Sequence, residues 1–467
     1  MVRRIRGAGT AAAAAVATAT LLAGCSGGQG TEGDGKGGAA ANPLKAKPVA
    51  AINVPEAWDG AKGWDQVLPW VPENATSPVT VVPGGRAVAL LNPETSGYSV
   101  QVRSATGGEP VWTSATWDLP LPLDGAKKAG EIPEVLGVEQ EGQRFVVLAA
   151  HGTKGKDALH EGTEVVRLAV YPADAKGQGV KPLREIDVPV RADAGEVRVQ
   201  TQGGRLLVAY GEDGDYPRFA ASVDLVKGSA TRYDAPYELL PQCETPHCSA
   251  RVMAAGPAGP LVGLGGGFGV PGRWFSDSVR PGGVPAKSGL FATWNGDVYG
   301  AVGGRFLAQW ENEGKNGNSA PPTWSVHDVD SGRLLARMEC AYSEKPSGPN
   351  YRGWRDHTVV SSPSGRFLAA GPVAFDMERK QGVCLERDGN RKRIEVRAVR
   401  DDGTAYAEVD SDGPPVFAQL NLTTPATAPT VLPTGVEVPD HTGLDGAALF
   451  VARDESENLR ISVRHNR

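Results

Sequence analysis

The chain has 467 residues, with 48 basic and 54 acidic side chains, so it carries a formal charge of −6. That balance excludes a general nucleic-acid partner and a polybasic grip on anionic lipid. Its 61 glycines and 36 prolines, with scarcely a 3.6-residue apolar stripe, exclude a helical bundle.

Residues 1–25 begin with Arg3, Arg4 and Arg6, continue as an alanine-rich apolar run and end at Leu22-Ala23-Gly24-Cys25. This is the layout of an export signal, too short and too alanine-dominated for a membrane span. The small residues leading straight to a cysteine resemble the lipobox of bacterial lipoproteins. That resemblance implies lipidation at Cys25, a lipid bilayer as partner and a place at the outer face of the cytoplasmic membrane. Residues 26–50, rich in Gly and Ala without apolar periodicity, predict a flexible tether, and residues 51–467 a folded domain.

In that domain one unit recurs: an extended stretch, a glycine-centred turn and a small apolar strand. It stands at 80–91, 138–150, 199–210, 253–264, 299–310, 359–370, 398–409 and 442–452. A second unit, a strand pair joined by a turn carrying Gly, stands at 100–114, 222–234 and 325–338. Together they make four antiparallel strands per repeat, with the repeat length of propeller blades. The expected fold is all-β, a β-propeller of seven or eight four-stranded blades, with a pair of β-sandwiches as the competing fold. The last strand, 459–467, is expected to join the first blade, with 53–72 packing on the rim or completing that blade.

Four cysteines lie within the domain. An exported chain favours disulfides. Cys243 and Cys248 close a small loop, and Cys340 and Cys384 pair by elimination. A metal site of these thiols with His247 is the alternative, and its spacing is unlike that of zinc sites.

Asp356-His357 and Asp440-His441 each precede the inner strand of a repeat, and Asp297 stands at the same point in another. In a propeller these residues gather at one mouth of the channel, as a ligand site or as hydrogen bonds between blades. Tyr351 and Trp354, between arginines on one connection, are candidates for a protein or glycan contact. Asp213–Asp215 and Asp410–Asp412 read as calcium loops or, more simply, as solvated turns. Gly267-Phe-Gly-Val-Pro-Gly272 has the letters of a dinucleotide loop, but Pro271 argues for an ordinary loop. Residues 51–467 contain no metalloprotease helix motif and no nucleophile elbow.

Asp328-Val329-Asp330-Ser331-Gly332-Arg333 resembles the turn of quinoprotein-like propellers, which continues to a tryptophan that docks blade on blade. Here Ala336 or Arg337 holds the tryptophan's place, whereas Thr106-Gly107-Gly108 is followed by Trp112. The resemblance implies the fold. It does not extend to the enzymes' calcium ligands, general base or vicinal cysteines, so neither pyrroloquinoline quinone nor calcium is expected. The sequence therefore predicts a membrane-anchored binding or scaffolding module for a protein or glycan of the cell envelope. A propeller enzyme, either a quinone-dependent dehydrogenase or a hydrolase or lyase, is the alternative.

Overall fold

The computed structural model describes residues 51–73, 75, 78–123, 132–191, 197–201, 203–212, 217–243, 250–287, 294–313, 319–342, 359–389, 391–411, 413–425 and 427–467. Among them there are eight sheets, seven antiparallel sheets of four strands and one of five with a single parallel pairing. The first strands of successive sheets touch: Val79–Val81 with Glu134–Gln140, Ala250–Gly256 with Asp297–Val302, and Ile394–Val399 with both Val360–Ser361 and His441–Leu444. His441–Leu444 also touches Val79–Val81, which closes the ring. The protein is an eight-bladed β-propeller, numbered here blade 1 to blade 8 from Val79. The expectation of seven or eight blades narrows to eight, and the sandwich alternative falls.

All eight copies of the first sequence unit are the first and second strands of the eight blades. The three copies of the second unit are the third and fourth strands of blades 1, 3 and 5. The glycines are there for a backbone reason. Gly85, Gly142, Gly204, Gly303, Gly365, Gly403 and Gly446 all have positive φ in the turn between first and second strands, a conformation glycine adopts without a steric penalty.

The closing blade corrects one expectation. The last strand, Leu459–Asn466, is the third strand of blade 8, not a member of blade 1. It pairs with Ala447–Arg453 on one side and with the N-terminal strand Trp58–Leu68 on the other. Residues 53–72 thus do complete a blade, the last one. Blade 8 joins the two ends of the domain, which removes two open sheet edges at once.

Blade 1 gains its fifth strand from its neighbour. Gly177–Val180, in the connection between the third and fourth strands of blade 2, pairs in parallel with Pro110–Ser114. It covers the outer edge of blade 1, and its own positive-φ glycines Gly177 and Gly179 make it a poor template for another strand.

The core consists of apolar layers between blades, one at every seam. Val147, Val170, Leu206 and Val223 fill the seam of blades 2 and 3. Trp64, Leu90, Leu449 and Val463 fill that of blades 8 and 1. Phe306, Phe268 and Trp310 fill that of blades 4 and 5. Each fully buried side chain of this size contributes about 1.5–3 kcal/mol relative to exposure, and no blade buries its two faces alone. The chain's one disulfide among the described residues with both partners in view is Cys340–Cys384, as expected. Cys243 is also disulfide-bonded, while Cys248 lies outside the described residues.

Candidate functional site

Strand direction sorts every connection to one of two ends of the ring. One end holds the turns between first and second strands, only two to five residues long, and the turns between third and fourth strands. The other end holds the starts of the inner strands, the hairpins between second and third strands, and the blade-to-blade connections of eight to twenty-one residues. These are the tight-turn end and the loop end.

At the tight-turn end, side chains of one outer strand reach a carbonyl in the next blade. The Trp64 indole donates to Ala105 O at 3.3 Å, Trp112 to Ala173 O at 3.3 Å, and Trp274 to Val329 O at 3.2 Å. Each carbonyl belongs to the first residue after a third strand. Arg184 makes the same reach from blade 2, donating to Leu225 O at 3.3 Å. It faces Val170 in register, as Trp112 faces Val102. The receiving turns leave room for these groups. A Cβ on Gly108 would stand 2.6 Å from Trp64, one on Gly228 2.7 Å from Arg184, and one on Gly332 2.6 Å from Trp274. The turn at Asp328 is tied locally, because its Oδ1 accepts from Ser331 N–H at 2.9 Å and Ser331 Oγ–H at 2.6 Å. This motif therefore holds blades together, and no ligand is needed to explain it.

Two buried polar groups near this end escaped sequence reasoning. In blade 8 the Arg464 guanidinium donates to both oxygens of Asp65, at 2.7 and 2.9 Å, and to the carbonyls of Gly60 and Trp64. Ser462 Oγ–H donates to Asp65 Oδ1 at 2.5 Å. Arg464 is fully buried. A buried pair survives only when such hydrogen bonds satisfy it. In blade 5, Ser325 Oγ lies 2.8 Å from His327 Nε2, the spacing of a nucleophile and its base. Both residues have 0 % exposure, so no substrate reaches them. Trp310 Nε1–H donates to Ser325 Oγ at 2.7 Å, and His327 Nδ1 contacts Gly332 O at 2.9 Å. A carbonyl can only accept, so Nδ1 carries the proton and Nε2 accepts from the serine. Burial pushes the His327 pKa down to about 4, which keeps the ring neutral. The pair is a satisfied core network.

The predicted mouth residues that are described all belong to the loop end, on blades 5 and 8. Asp297 opens the inner strand of blade 5, and Asp440 and His441 stand at the start of the inner strand of blade 8, three blades further round. Asp440 Oδ2 accepts from Val451 N–H at 2.6 Å, and Asp440 N–H donates to Leu449 O at 2.9 Å. Surrounding protein raises the Asp440 pKa to about 6 by desolvation, opposed by the Val451 N–H and reinforced by Glu437. Desolvation also raises the Asp297 pKa, against the pull of Arg251 and the Gly266 N–H, and lowers that of His441. All three side chains are nonetheless exposed. Both observations hold at once for a group that touches water but has protein on most sides, as at the mouth of a channel. Asp356, His357, Tyr351 and Trp354 lie outside the described residues, as do Cys25, Asp213, Asp215 and Asp412. Among the described residues no three His, Cys, Asp or Glu side chains gather as a metal site. Two open grooves, of about 420 and 550 Å³, lie away from the axis, the first against Tyr98 and Leu121 and the second against Arg337 and Met338. Gly267–Gly272 is part of a hairpin built on Phe268–Val270 and runs into the strand Trp274–Phe275, not directly into a helix as a dinucleotide site needs; the helix beyond, Ser276–Val279, has only four residues.

No family model matches the chain, and no curated protein matches it significantly. Among solved structures, it is similar to the β-propeller domain of Cps50 (Swd1) from Myceliophteria thermophila, at 11% identity and a TM-score of 0.37, over 83% of this chain and 95% of that one. It is also similar to the Dos1 propeller, at 10% identity and a TM-score of 0.37, over 85% and 95%. A third is a complex of KlAtg21 with the coiled coil of AgAtg16, at 9% identity and a TM-score of 0.32, over 83% and 91%. Likeness at this level carries no functional argument, and the eight-bladed propeller fold rests on the chain's own strand pairing.

Proposed function

We propose that this protein is a lipid-anchored, extracytoplasmic binding or scaffolding module. In this reading acylated Cys25 holds it at the outer face of the cytoplasmic membrane, and the loop end of its propeller receives a protein or glycan of the envelope. A propeller suits that role, being a rigid ring with variable connections on one side. The observation that carries the reading is the contrast between the two ends. The turns of one end are engaged in holding blades together. The other end carries the long connections and the desolvated Asp297, Asp440 and His441.

No specific observation favours the enzyme alternative, since the Ser325–His327 pair is sealed in the core.

The test is crosslinking in intact cells, comparing the native chain with an Asp297→Ala/Asp440→Ala/His441→Ala variant and with Cys25→Ala. A partner recovered with the native chain and lost with the triple variant is the expected result. The Cys25→Ala chain is expected in the medium. A partner retained fully by the triple variant, or no partner above background, overturns the binding surface. Retention of Cys25→Ala in the membrane fraction overturns the anchor.

A further inference from the structure

At four seams a side chain of the outer strand latches onto the neighbouring turn: Trp64, Trp112, Arg184 and Trp274. The seam of blades 5 and 6 lacks both halves of that device. Ala336 faces Val326 in the register where Trp112 faces Val102, and its methyl group cannot reach across. The receiving turn of blade 6 has Lys380, itself at φ 55, where the turns of blades 1, 3 and 5 have the glycine that makes room.

At the tight-turn end this seam is tied by Arg305, which donates to Gly365 O at 2.5 Å, and a covalent bond spans its loop end. Cys340 follows directly on the outer strand Leu334–Glu339 of blade 5, and Cys384 ends the outer strand Gln381–Cys384 of blade 6. Met338 packs against Gly382 beside it, so closely that a Cβ on Gly382 would lie 2.0 Å from its sulfur. Blades 3 and 7 carry Thr231 and Thr430 at the latch position, so a missing latch alone does not distinguish the seam. The disulfide does.

We propose that Cys340–Cys384 is the latch of the blade 5–blade 6 seam, and that a dithiol reductant loosens this seam while the seams latched by side chains keep their packing. Cys384 is the accessible end, half-buried where Cys340 is 2 % exposed. A thiolate of the reductant attacks the Cys384 sulfur, the S–S bond breaks, and Cys340 leaves as a thiolate and takes up a proton. The second thiol of the reductant then displaces Cys384, so both cysteines end as thiols and the reductant as its own disulfide. The two outer strands become free to part, although the apolar layer of Trp324, Leu368 and Phe375 still fills the seam. The expected response is local opening, not unfolding of the ring.

Hydrogen exchange on the full chain tests this, with a Cys340→Ser/Cys384→Ser variant beside the oxidised protein. Amides of Leu334–Glu339 and Gln381–Cys384 should exchange at least tenfold faster in the variant, with Gly97–Ser104 and Thr163–Pro172 unchanged. Dithiothreitol on the native chain should reproduce that pattern, and the variant separates it from reduction at Cys243. If the variant does not fold, dithiothreitol on the folded native chain, with alkylation of Cys340 and Cys384 followed by mass spectrometry, reads the same strands. Unchanged exchange in these outer strands, or equal acceleration in all blades, overturns the proposal.

Discussion

The two ends of the ring are built on different principles. At the tight-turn end, neighbouring blades are laced to one another through backbone and short side chains. Gln140 donates to Asp224 across blades 2 and 3 at 3.1 Å. Ala258 N–H donates to Asp330 across blades 4 and 5 at 3.0 Å, and Ser364 N–H to Asp401 across blades 6 and 7 at 2.9 Å. Asp445 N–H donates to Gly85 O across blades 8 and 1 at 2.8 Å. At the loop end the connections vary from eight to twenty-one residues, and the titratable groups face water. Ring geometry dictates the first end. The second is left free to be shaped by whatever it contacts. Substitutions at the tight-turn end should therefore cost stability, and those at the loop end, the disulfide Cys340–Cys384 apart, should cost little.

The hardest test of that contrast is the buried pair in blade 8. Asp65→Ala leaves the fully buried Arg464 guanidinium without its carboxylate, against the seam where the N-terminal strand closes the ring. Breaking a buried pair from one side costs about 3–5 kcal/mol, whereas replacing both partners by apolar groups of similar volume costs far less. Urea unfolding of Asp65→Ala, Arg464→Met and the Asp65→Leu/Arg464→Met double variant measures this. A single variant within about 1 kcal/mol of the native chain would break the comparison.

The next largest effect is a pH dependence. His327, held neutral in blade 5, has a folded pKa of about 4 against an ordinary value of 6.5. Between those values the unfolded chain binds the proton and the folded chain does not. Stability therefore rises with pH through that window, and acidification from about pH 6.5 to 4 removes roughly 3 kcal/mol. A His327→Gln chain loses this slope even if it is less stable throughout. Unfolding midpoints measured across the window give the answer, and equal slopes in both chains would contradict it.

What the sequence disclosed divides along the same line. The eight glycine-centred turns were legible because a tight turn demands positive φ and few residues meet that demand. Asp297 and Asp440-His441 could be placed at one end because the start of an inner strand is a position in the repeat. Blade number stayed open between seven and eight because the last copies of the first unit, at 359–370, 398–409 and 442–452, are closely spaced. Arg184 gave no sign of standing in for a tryptophan, since a long basic side chain is ordinary on an outer strand. Asp65 and Arg464 are 399 residues apart, and no local pattern links them. Gly177–Val180 has little strand propensity and pairs only because the edge of blade 1 needs a cover. What the loop end binds depends on connections that follow no repeat, so the periodicity that revealed the fold is silent about the partner.

The smallest expected effect sharpens the comparison from the loop end. The Asp440 carboxyl has a folded pKa of about 6, above its ordinary 3.8. Between those values the folded chain holds the proton and the unfolded chain does not, so its contribution is a stabilisation present at low pH that is lost as pH rises through about 6. This slope is opposite in sign to that of His327. Asn at this position keeps an oxygen for the Val451 N–H and removes the charge that surrounding protein disfavours. The side chain is exposed, so water screens much of the penalty, and Asp440→Asn should gain less than about 1 kcal/mol near pH 7 and nothing near pH 4. Thermal unfolding at the two pH values distinguishes the outcomes. A loss of stability at pH 7 would mean that the Asp440 carboxylate is a structural tie like Asp65, and the loop end would then share the building principle of the other. A small gain alongside the loss of a crosslinked partner would identify Asp440 as a charge maintained at some cost to the fold for the sake of a contact, as expected of a binding surface and not of a seam.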